Sequence, residues 1–126
     1  MGKNDMILDK GFINHNNYEL VESNNKTATL KVNLGEDALN PYGVAHGGLI
    51  FGLGDTAMGV VAYNTGKKGV TLSSTINYLK PATGEFLVAK AEMIKDGKNT
   101  SYLRTNIYND KDILVATMDG NYYYID

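Results

Sequence analysis

A single carboxylate lies in a long stretch of the chain that is rich in glycine and otherwise uncharged. Asp55 is the only charged residue between Asn40 and Met58. An unpaired carboxylate among apolar neighbours costs free energy unless something uses it. Such a group can act as a general base toward water or as a nucleophile toward an electrophilic carbon. The alternative interpretation places Asp55 at a solvated edge of a helix whose glycines serve only close packing.

The triplet His46-Gly47-Gly48 supplies a second group that fits the same chemistry. The apolar spacing after it predicts a helix over about His46 to Thr65. The first N–H groups of a helix have no intrahelical partner, and they lie at the positive end of its dipole. Because glycine lets a ligand come close, the Gly47 N–H can hold an anion or a developing oxyanion.

Gly47 and Asp55 are eight residues apart, which is about 12 Å along a helix. A reacting carbon should lie about 3 Å from each group, so one helix does not serve both roles at one centre. Two antiparallel helices related by a two-fold axis place Gly47 of one subunit opposite Asp55 of the other. The spacing therefore predicts an obligate dimer with two sites at its interface.

Three glycines share the helical face of Asp55. Gly48, Gly52 and Gly59 lie within seven residues of it, at the spacing of helical neighbours. Each costs about 1 kcal/mol relative to alanine in a helix. Because these glycines destabilise the helix, we expect them to have a use: a sheet, a partner helix or a thin ligand approaches the helix backbone there.

Alternating apolar and polar residues predict about six strands around this helix. In the strand after the helix, the alternation assigns the side chains to two faces: Val70, Leu72, Ile76 and Tyr78 on one, and Thr71, Ser73, Thr75 and Asn77 on the other. The element order is ββαββββ. The sequence therefore predicts an α+β domain whose antiparallel sheet packs against one long helix.

Length and composition limit the class of protein. The 126 residues fit one domain, residues 1–126, with residues 1–10 as a poorly ordered or peripheral segment. A net charge of -2 gives no reason to expect nucleic acid or a membrane as a partner. The chain has no cysteine, and its two histidines lack metal-ligand spacing, so no metal is expected. Without a membrane-length apolar run or a secretory signal, the chain is expected to be cytoplasmic.

The residues Asn40, His46-Gly47-Gly48 and Asp55-Thr56 resemble the motif of the hotdog-fold acyl-CoA thioesterases of the phenylacetate-pathway (PaaI-like) type. The pattern N-x-x-G-x-x-H-G-G-x(6)-D-T is met position by position, and "NYLKPA" resembles a later stretch of the same family. The resemblance extends over roughly residues 11 to 125. It implies a hotdog fold, with the sheet wrapped around one long central helix. It also implies hydrolysis of an acyl-CoA or aryl-CoA to the free acid and CoA.

The resemblance implies roles for four motif residues. The Gly47 N–H polarises the thioester carbonyl, and Asp55 of the other subunit attacks that carbonyl or activates water. Asn40 orients the water or the thioester. His46 braces the turn rather than acting as a base.

Four further residues enter through the resemblance. Some members of the family carry threonine four residues after the carboxylate, where this chain has Gly59. Others use a serine on the following strand, and Ser73 stands at the matching offset. Gly48 and Thr56, which adjoin the main groups in the motif, are assigned to substrate binding.

The resemblance also implies partners and leaves alternatives open. No cofactor is implied, since coenzyme A is part of the substrate. A thioester of an acyl-carrier protein is the alternative substrate. The oligomer is expected to be at least a dimer, and by analogy a dimer of dimers. One alternative is a hotdog domain that binds acyl-CoA without cleaving it, but pure binding gains nothing from an unpaired carboxylate. The other is a dehydratase or hydratase, which pairs a histidine with a carboxylate.

Overall fold

The chain forms a short helix and a two-stranded hairpin, followed by a long helix and four more strands. The structure, a computed structural model, describes residues 11–125. Its helices are α1 (Gly11–His15) and α2 (Gly47–Tyr63), and a 3-10 turn spans Glu36–Ala38. Its strands are β1 (Glu19–Ser23), β2 (Thr27–Asn33), β3 (Lys68–Tyr78), β4 (Phe86–Asp96), β5 (Thr100–Asn109) and β6 (Leu114–Ile125).

The six strands form one antiparallel sheet in the order β1-β2-β4-β5-β6-β3. α2 packs across one face of this sheet, against β2 to β6. The predicted ββαββββ order and the long central helix are therefore confirmed. α1 and the 3-10 turn were not predicted, because elements of five and three residues are too short for a periodic pattern to stand out.

Burial follows the alternation of the strands, which explains why these segments form a sheet. In β2, Ala28, Leu30 and Val32 are buried, and the residues between them are half-buried or exposed. β4 and β5 repeat this pattern along most of their length. The buried face packs on α2, where Leu53 and Ala57 are fully buried, so the core lies between the helix and the sheet.

The alternation breaks in β3, beside the predicted site. Thr71 pairs with Tyr122 and Ser73 pairs with Asn121, so two steps along β3 match one step along β6. Leu72 is the extra residue of a β-bulge, and a bulge transfers the side chains after it to the opposite faces.

For this reason the faces predicted for β3 are wrong before the bulge, at Val70 and Thr71, and right after it. Thr71 lies on the side of α2, to which it hydrogen-bonds, together with Tyr78. The prediction had grouped Thr71 with Ser73, which lies on the outer side beyond the bulge. Counting with a period of two does not detect one inserted residue, so one count cannot assign the correct faces on both sides of Leu72.

Packing explains two of the glycines in α2. A Cβ added to Gly52 would overlap the Tyr18 hydroxyl, and a Cβ added to Gly54 would overlap the Met118 sulfur. Because interiors are packed without spare room, glycine is needed at both positions for these side chains to fit. Gly59 differs, since its added Cβ would meet Tyr122 only at 3.8 Å.

Two alanine substitutions in α2 are expected to change stability in opposite directions. Gly59→Ala gains helix propensity without a clash, so it should raise the free energy of unfolding by about 0.5–1 kcal/mol. Gly54→Ala gains the same propensity but displaces the buried Met118 side chain, which should lower the free energy of unfolding by about 1–3 kcal/mol. Urea unfolding of both variants beside the wild type measures the difference. Equal shifts would contradict the packing explanation.

The ends of the chain, residues 1–10 and 126, lie outside the described residues. The prediction that residues 1–10 form a poorly ordered or peripheral segment therefore concerns residues outside the described part. That residues 1–126 form a single domain stays a prediction. Within residues 11–125, neither helix is long and apolar enough to cross a membrane.

Candidate active site

Asp55 projects from the middle of α2 toward β3 and β6, where two hydroxyl groups bind it. Thr71 donates a hydrogen bond to Asp55 Oδ1 over 2.8 Å, and Tyr122 donates to the same oxygen over 2.5 Å. The Tyr122 oxygen also lies 2.7 Å from the Asp55 main-chain carbonyl oxygen. Oδ2 accepts no hydrogen bond from any of residues 11–125. One carboxylate oxygen is therefore held by two hydroxyls, and the other has no partner among the residues that the structure describes.

Burial changes the acidity of two tyrosines near Asp55. Burial raises the pKa of Tyr122, and the negative charge of Asp55 adds to the effect. The same two causes raise the pKa of Tyr18 to about 12. Both hydroxyls therefore keep their protons at neutral pH and act as donors, Tyr122 to Asp55 and Tyr18 to the Leu49 carbonyl over 2.8 Å.

Stability is expected to fall as the pH rises from about 10 to about 12. Unfolded tyrosines release their protons near pH 10, whereas native Tyr18 holds its proton until about 12. The native state then binds more protons than the unfolded state, so the free energy of unfolding decreases with pH. Urea unfolding between pH 9 and 11 should show a shallower decrease for Tyr18→Phe than for the wild type. Tyr42→Phe, which changes a tyrosine that is 89% exposed, should follow the wild type; the opposite ranking would contradict the assignment.

The N-terminus of α2 offers one main-chain donor that has no partner among the described residues. His46 is the N-cap residue, and its Nδ1 accepts a hydrogen bond from the Gly48 N–H over 2.9 Å. The Gly47 N–H has no acceptor within residues 11–125. The Gly47 carbonyl accepts a hydrogen bond from Tyr78 over 2.7 Å, which ties the helix start to β3. Gly47 thus presents a fixed N–H at the positive end of the helix dipole.

Asn40 organises the loop that leads into α2. Its side-chain oxygen accepts hydrogen bonds from the N–H groups of Tyr42 and Val44, over 2.9 and 3.3 Å. Its own N–H donates to the Val44 carbonyl over 2.8 Å. Gly43 closes the turn with a φ of 80°, which favours glycine. The side-chain NH2 of Asn40 has no acceptor among residues 11–125.

Gly47 and Asp55 line separate cavities of one chain. The Gly47 cavity has a volume of about 350 Å³ and is also lined by Tyr78. The Asp55 cavity has a volume of about 420 Å³ and is also lined by Thr56 and Tyr122. A larger cavity of about 690 Å³ beside α1 contains neither group. One chain therefore holds the two reactive groups apart.

Ser73 does not join the group around Asp55. Its hydroxyl accepts a hydrogen bond from the Asn121 side chain over 3.3 Å, on the outer side of the sheet. Ser73 was chosen because it stands at the offset where other family members have a serine. In the structure it is Thr71, two residues earlier on β3, that contacts the carboxylate. The roles predicted for the site residues, including Ser73, stay predictions.

A family model supplies the first comparison with known proteins. The model described as "Thioesterase superfamily" matches residues 42–116, more than half of the chain. The chain belongs to the thioesterase superfamily. The matched segment includes α2 with Gly47 and Asp55, and it extends into β6.

Two curated relatives of this thioesterase cover most of it. A protein of Archaeoglobus fulgidus, provisionally named an esterase, is 30% identical over 107 residues, which make up 84% of this chain and 70% of the relative. The acyl-coenzyme A thioesterase PaaI of Escherichia coli K12 is 28% identical over 108 residues, 85% of this chain and 77% of PaaI. The solved E. coli PaaI structure has a TM-score of 0.86 over 98% of this chain and 87% of its own, at 23% identity, and it has the same fold. The predicted hotdog fold and the resemblance to PaaI-like thioesterases are confirmed.

A solved structure from Streptococcus pneumoniae TIGR4 adds a ligand. It is described as a hypothetical thioesterase with coenzyme A, and it has a TM-score of 0.82 and 31% identity over 86% of this chain and 85% of its own. Two further structures are alanine variants of the same protein, at an aspartate and at a threonine that lie sixteen residues apart. Asp55 and Thr71 of this thioesterase have the same separation.

Two residues around Asp55, Thr71 and Tyr122, were not singled out from the sequence. The alternation of β3 assigned Thr71 to the wrong face because of the bulge. Tyr122 lies 67 residues after Asp55, in a run of three tyrosines that reads as an aromatic strand. Its place at the carboxylate follows from the pairing of β3 with β6, for which a single sequence carries no signal.

Proposed function

We propose that this thioesterase hydrolyses the thioester bond of an acyl-CoA or aryl-CoA and releases the free acid and CoA. The observation that carries the proposal is the Asp55 carboxylate. Its Oδ1 is held by two hydroxyls, its Oδ2 has no partner within residues 11–125, and it lines a cavity. A carboxylate fixed in this way acts as a general base toward water or as a nucleophile toward the thioester carbon.

Gly47 supplies the electrophilic half of the mechanism. Addition to the thioester carbonyl creates a negative charge on its oxygen, which needs a donor that is already in place. The unpaired Gly47 N–H at the start of α2 is such a donor, and the bond from Tyr78 to the Gly47 carbonyl limits its movement. The helix dipole adds to the stabilisation of the oxyanion.

Each complete site requires a second copy of the chain. Gly47 and Asp55 line separate cavities, and about 12 Å of helix separates them. A two-fold axis that sets two α2 helices antiparallel brings Asp55 of one chain to Gly47 of the partner subunit. The proposal therefore includes a homodimer with two equal sites at its interface. Association of two dimers into a tetramer stays a prediction.

The free edge of β3 supports this dimer. β3 is the last strand of the sheet and pairs only with β6 among the described residues, so its other edge carries unpaired N–H and C=O groups. The side chains near this edge are apolar and exposed: Leu72 is 64% exposed, and Val70, Tyr123 and Ile125 are nearly half exposed. An apolar surface beside an unpaired strand is typical of a buried interface.

A thioester of coenzyme A suits the two cavities of such a dimer. The acyl or aryl group would occupy the Asp55 cavity, and the narrow pantetheine arm would pass between the subunits. Coenzyme A in the S. pneumoniae structure supports this ligand class. The proposal needs no separate cofactor or metal, and a cytoplasmic location stays a prediction.

The remaining motif residues have supporting roles in the proposal. The free amide of Asn40 orients water or the thioester, and His46 braces the start of α2 through its bond to Gly48. Thr56, which lines the Asp55 cavity, contacts the substrate. Ser73 is the least supported of the predicted residues, because its hydroxyl bonds to Asn121 instead.

Release of free CoA thiol from a panel of straight-chain acyl-CoAs, aryl-CoAs and acyl-carrier-protein thioesters tests the proposed function. Thiol release from at least one of them is expected, and the panel identifies the preferred acyl group. Binding of acyl-CoA without thiol release would contradict hydrolysis and favour the non-catalytic alternative. Hydration of an enoyl-CoA without thiol release would favour the hydratase alternative. The structure gives that alternative little support, because His46 Nδ1 already accepts the hydrogen bond that caps the helix.

A further inference from the structure

We infer that Tyr122 is a positioning residue: together with Thr71 it holds Asp55 Oδ1, so that Oδ2 is the oxygen presented to water or to the thioester. The catalytic meaning of this inference rests on the function proposed above. The geometry itself does not depend on that function: within residues 11–125, two hydroxyls bind one carboxylate oxygen and none binds the other.

The two hydroxyls arrive from neighbouring strands in one register. Thr71 of β3 pairs directly with Tyr122 of β6, and both side chains point toward α2. The bulge at Leu72 begins immediately after this pair, so it does not disturb the pair itself. Short O–H···O⁻ bonds to an ionised carboxylate are among the stronger hydrogen bonds in proteins. The pair therefore fixes the orientation of the Asp55 carboxylate.

Tyr122 has one proton and two acceptors within reach. Asp55 Oδ1 is 2.5 Å away and the Asp55 main-chain carbonyl is 2.7 Å away. An ionised carboxylate is the stronger acceptor, so the Tyr122 hydroxyl donates its proton to Oδ1 as long as Asp55 is ionised. Once Asp55 takes up a proton during the reaction, the Tyr122 hydroxyl can turn to the carbonyl without movement of its ring. Tyr122 is buried, with 2% of the residue exposed, so the protein limits the movement of its ring.

Other titratable groups lie around Asp55. Tyr18 approaches from the segment between α1 and β1, and its ionisation is coupled to the charge of Asp55. Tyr63 of α2 and Lys68 of β3 line the same cavity. Among the described titratable side chains, Tyr122 is the one that hydrogen-bonds to the carboxylate. Its removal should therefore affect the orientation of the Asp55 carboxylate more than the removal of any of the others.

Tyr122→Phe is expected to lower kcat about tenfold with little change in KM, because ionised Asp55 loses one of two donors. Tyr102→Phe is the matched control, since it removes a tyrosine–aspartate bond of 2.9 Å to Asp119 in another part of the sheet. It should leave both kcat and KM unchanged.

Carbon-13 NMR of the Asp55 side-chain carboxyl tests the inference without reference to activity. At one fixed pH, the chemical shift of this carboxyl should change in Tyr122→Phe and stay in place in Tyr102→Phe. If Tyr122→Phe fails to fold, Thr71→Val removes the other donor and should also change this chemical shift. A chemical shift that stays in place in the folded variant overturns the inference. A chemical shift that changes, in a protein that releases thiol from no thioester, supports the inference and overturns the proposed function.

Discussion

Replacing Asp55 by asparagine is expected to lower kcat for thioester hydrolysis by about 10²- to 10⁴-fold. Asparagine keeps an Oδ1 that accepts hydrogen bonds from Thr71 and Tyr122, so the contacts around position 55 survive. It lacks the basic oxygen that activates water or attacks the thioester carbon. KM should change little, because the carboxylate acts at the reacting centre and not on the CoA arm. The measurement is thiol release from the best substrate of the panel.

Asp119→Asn is the matched control for this substitution. Asp119 also accepts a hydrogen bond from a tyrosine, Tyr102, but it lies outside the proposed site. The control should retain the wild-type kcat. If Asp55→Asn retained more than a tenth of the wild-type kcat, the proposed role of Asp55 as base or nucleophile would be wrong.

Gly47→Pro is expected to lower kcat by about 10²- to 10³-fold, because it removes the N–H that stabilises the oxyanion. Position 47 is the first of α2, where proline is tolerated. His46 has the extended conformation that a residue before proline requires, with φ -64° and ψ 135°. The lost N–H has no acceptor within residues 11–125, so the helix loses no hydrogen bond.

Gly47→Ala separates the loss of the N–H from the added bulk. Its Cβ would lie 3.2 Å from the Tyr78 hydroxyl, a tight contact that proline makes as well, but alanine keeps the N–H. It should therefore retain most of the activity that Gly47→Pro loses. Equal losses in the two variants would assign the effect to Tyr78 and contradict the oxyanion role.

The shared site predicts that these two inactive variants restore each other. A mixed dimer of one Gly47→Pro chain and one Asp55→Asn chain has one site with both groups intact and one site with both changed. Random exchange makes half of the dimers mixed, so about a quarter of the wild-type activity should return. Joint unfolding and refolding of the two variants allows this exchange, and native mass spectrometry counts the mixed dimers. Mixed dimers with no more activity than the parents would place each site within a single chain.

The fold was largely predictable because its pattern repeats over many residues. Burial of one face imposes alternation on strands such as β2, and several successive residues report the same face. The long helix is marked at both ends, by His46 at its N-cap and by Gly66, which has a φ of 90°, after its last turn. Short elements such as α1 carry no such redundancy.

The candidate site was predictable only where it lies in one continuous segment. Gly47 and Asp55 share a helix, so their spacing translates directly into distance. Thr71 and Tyr122 reach Asp55 through the register of two strands and a bulge, which depend on packing across the whole sheet. The same dependence explains why residue counting chose Ser73 and missed its neighbour Thr71.

The inserted Leu72 also determines how far this chain can be aligned with its relatives by counting. A deletion of that one residue would leave both halves of β3 in their present pairing with β6, since each half alternates regularly on its own side of the bulge. Members of the superfamily that differ by one residue at this point can therefore share the same buried contacts on both sides of the gap. In a relative without the extra residue, an offset counted from α2 designates the same position as far as Thr71, and beyond it the opposite surface of the sheet.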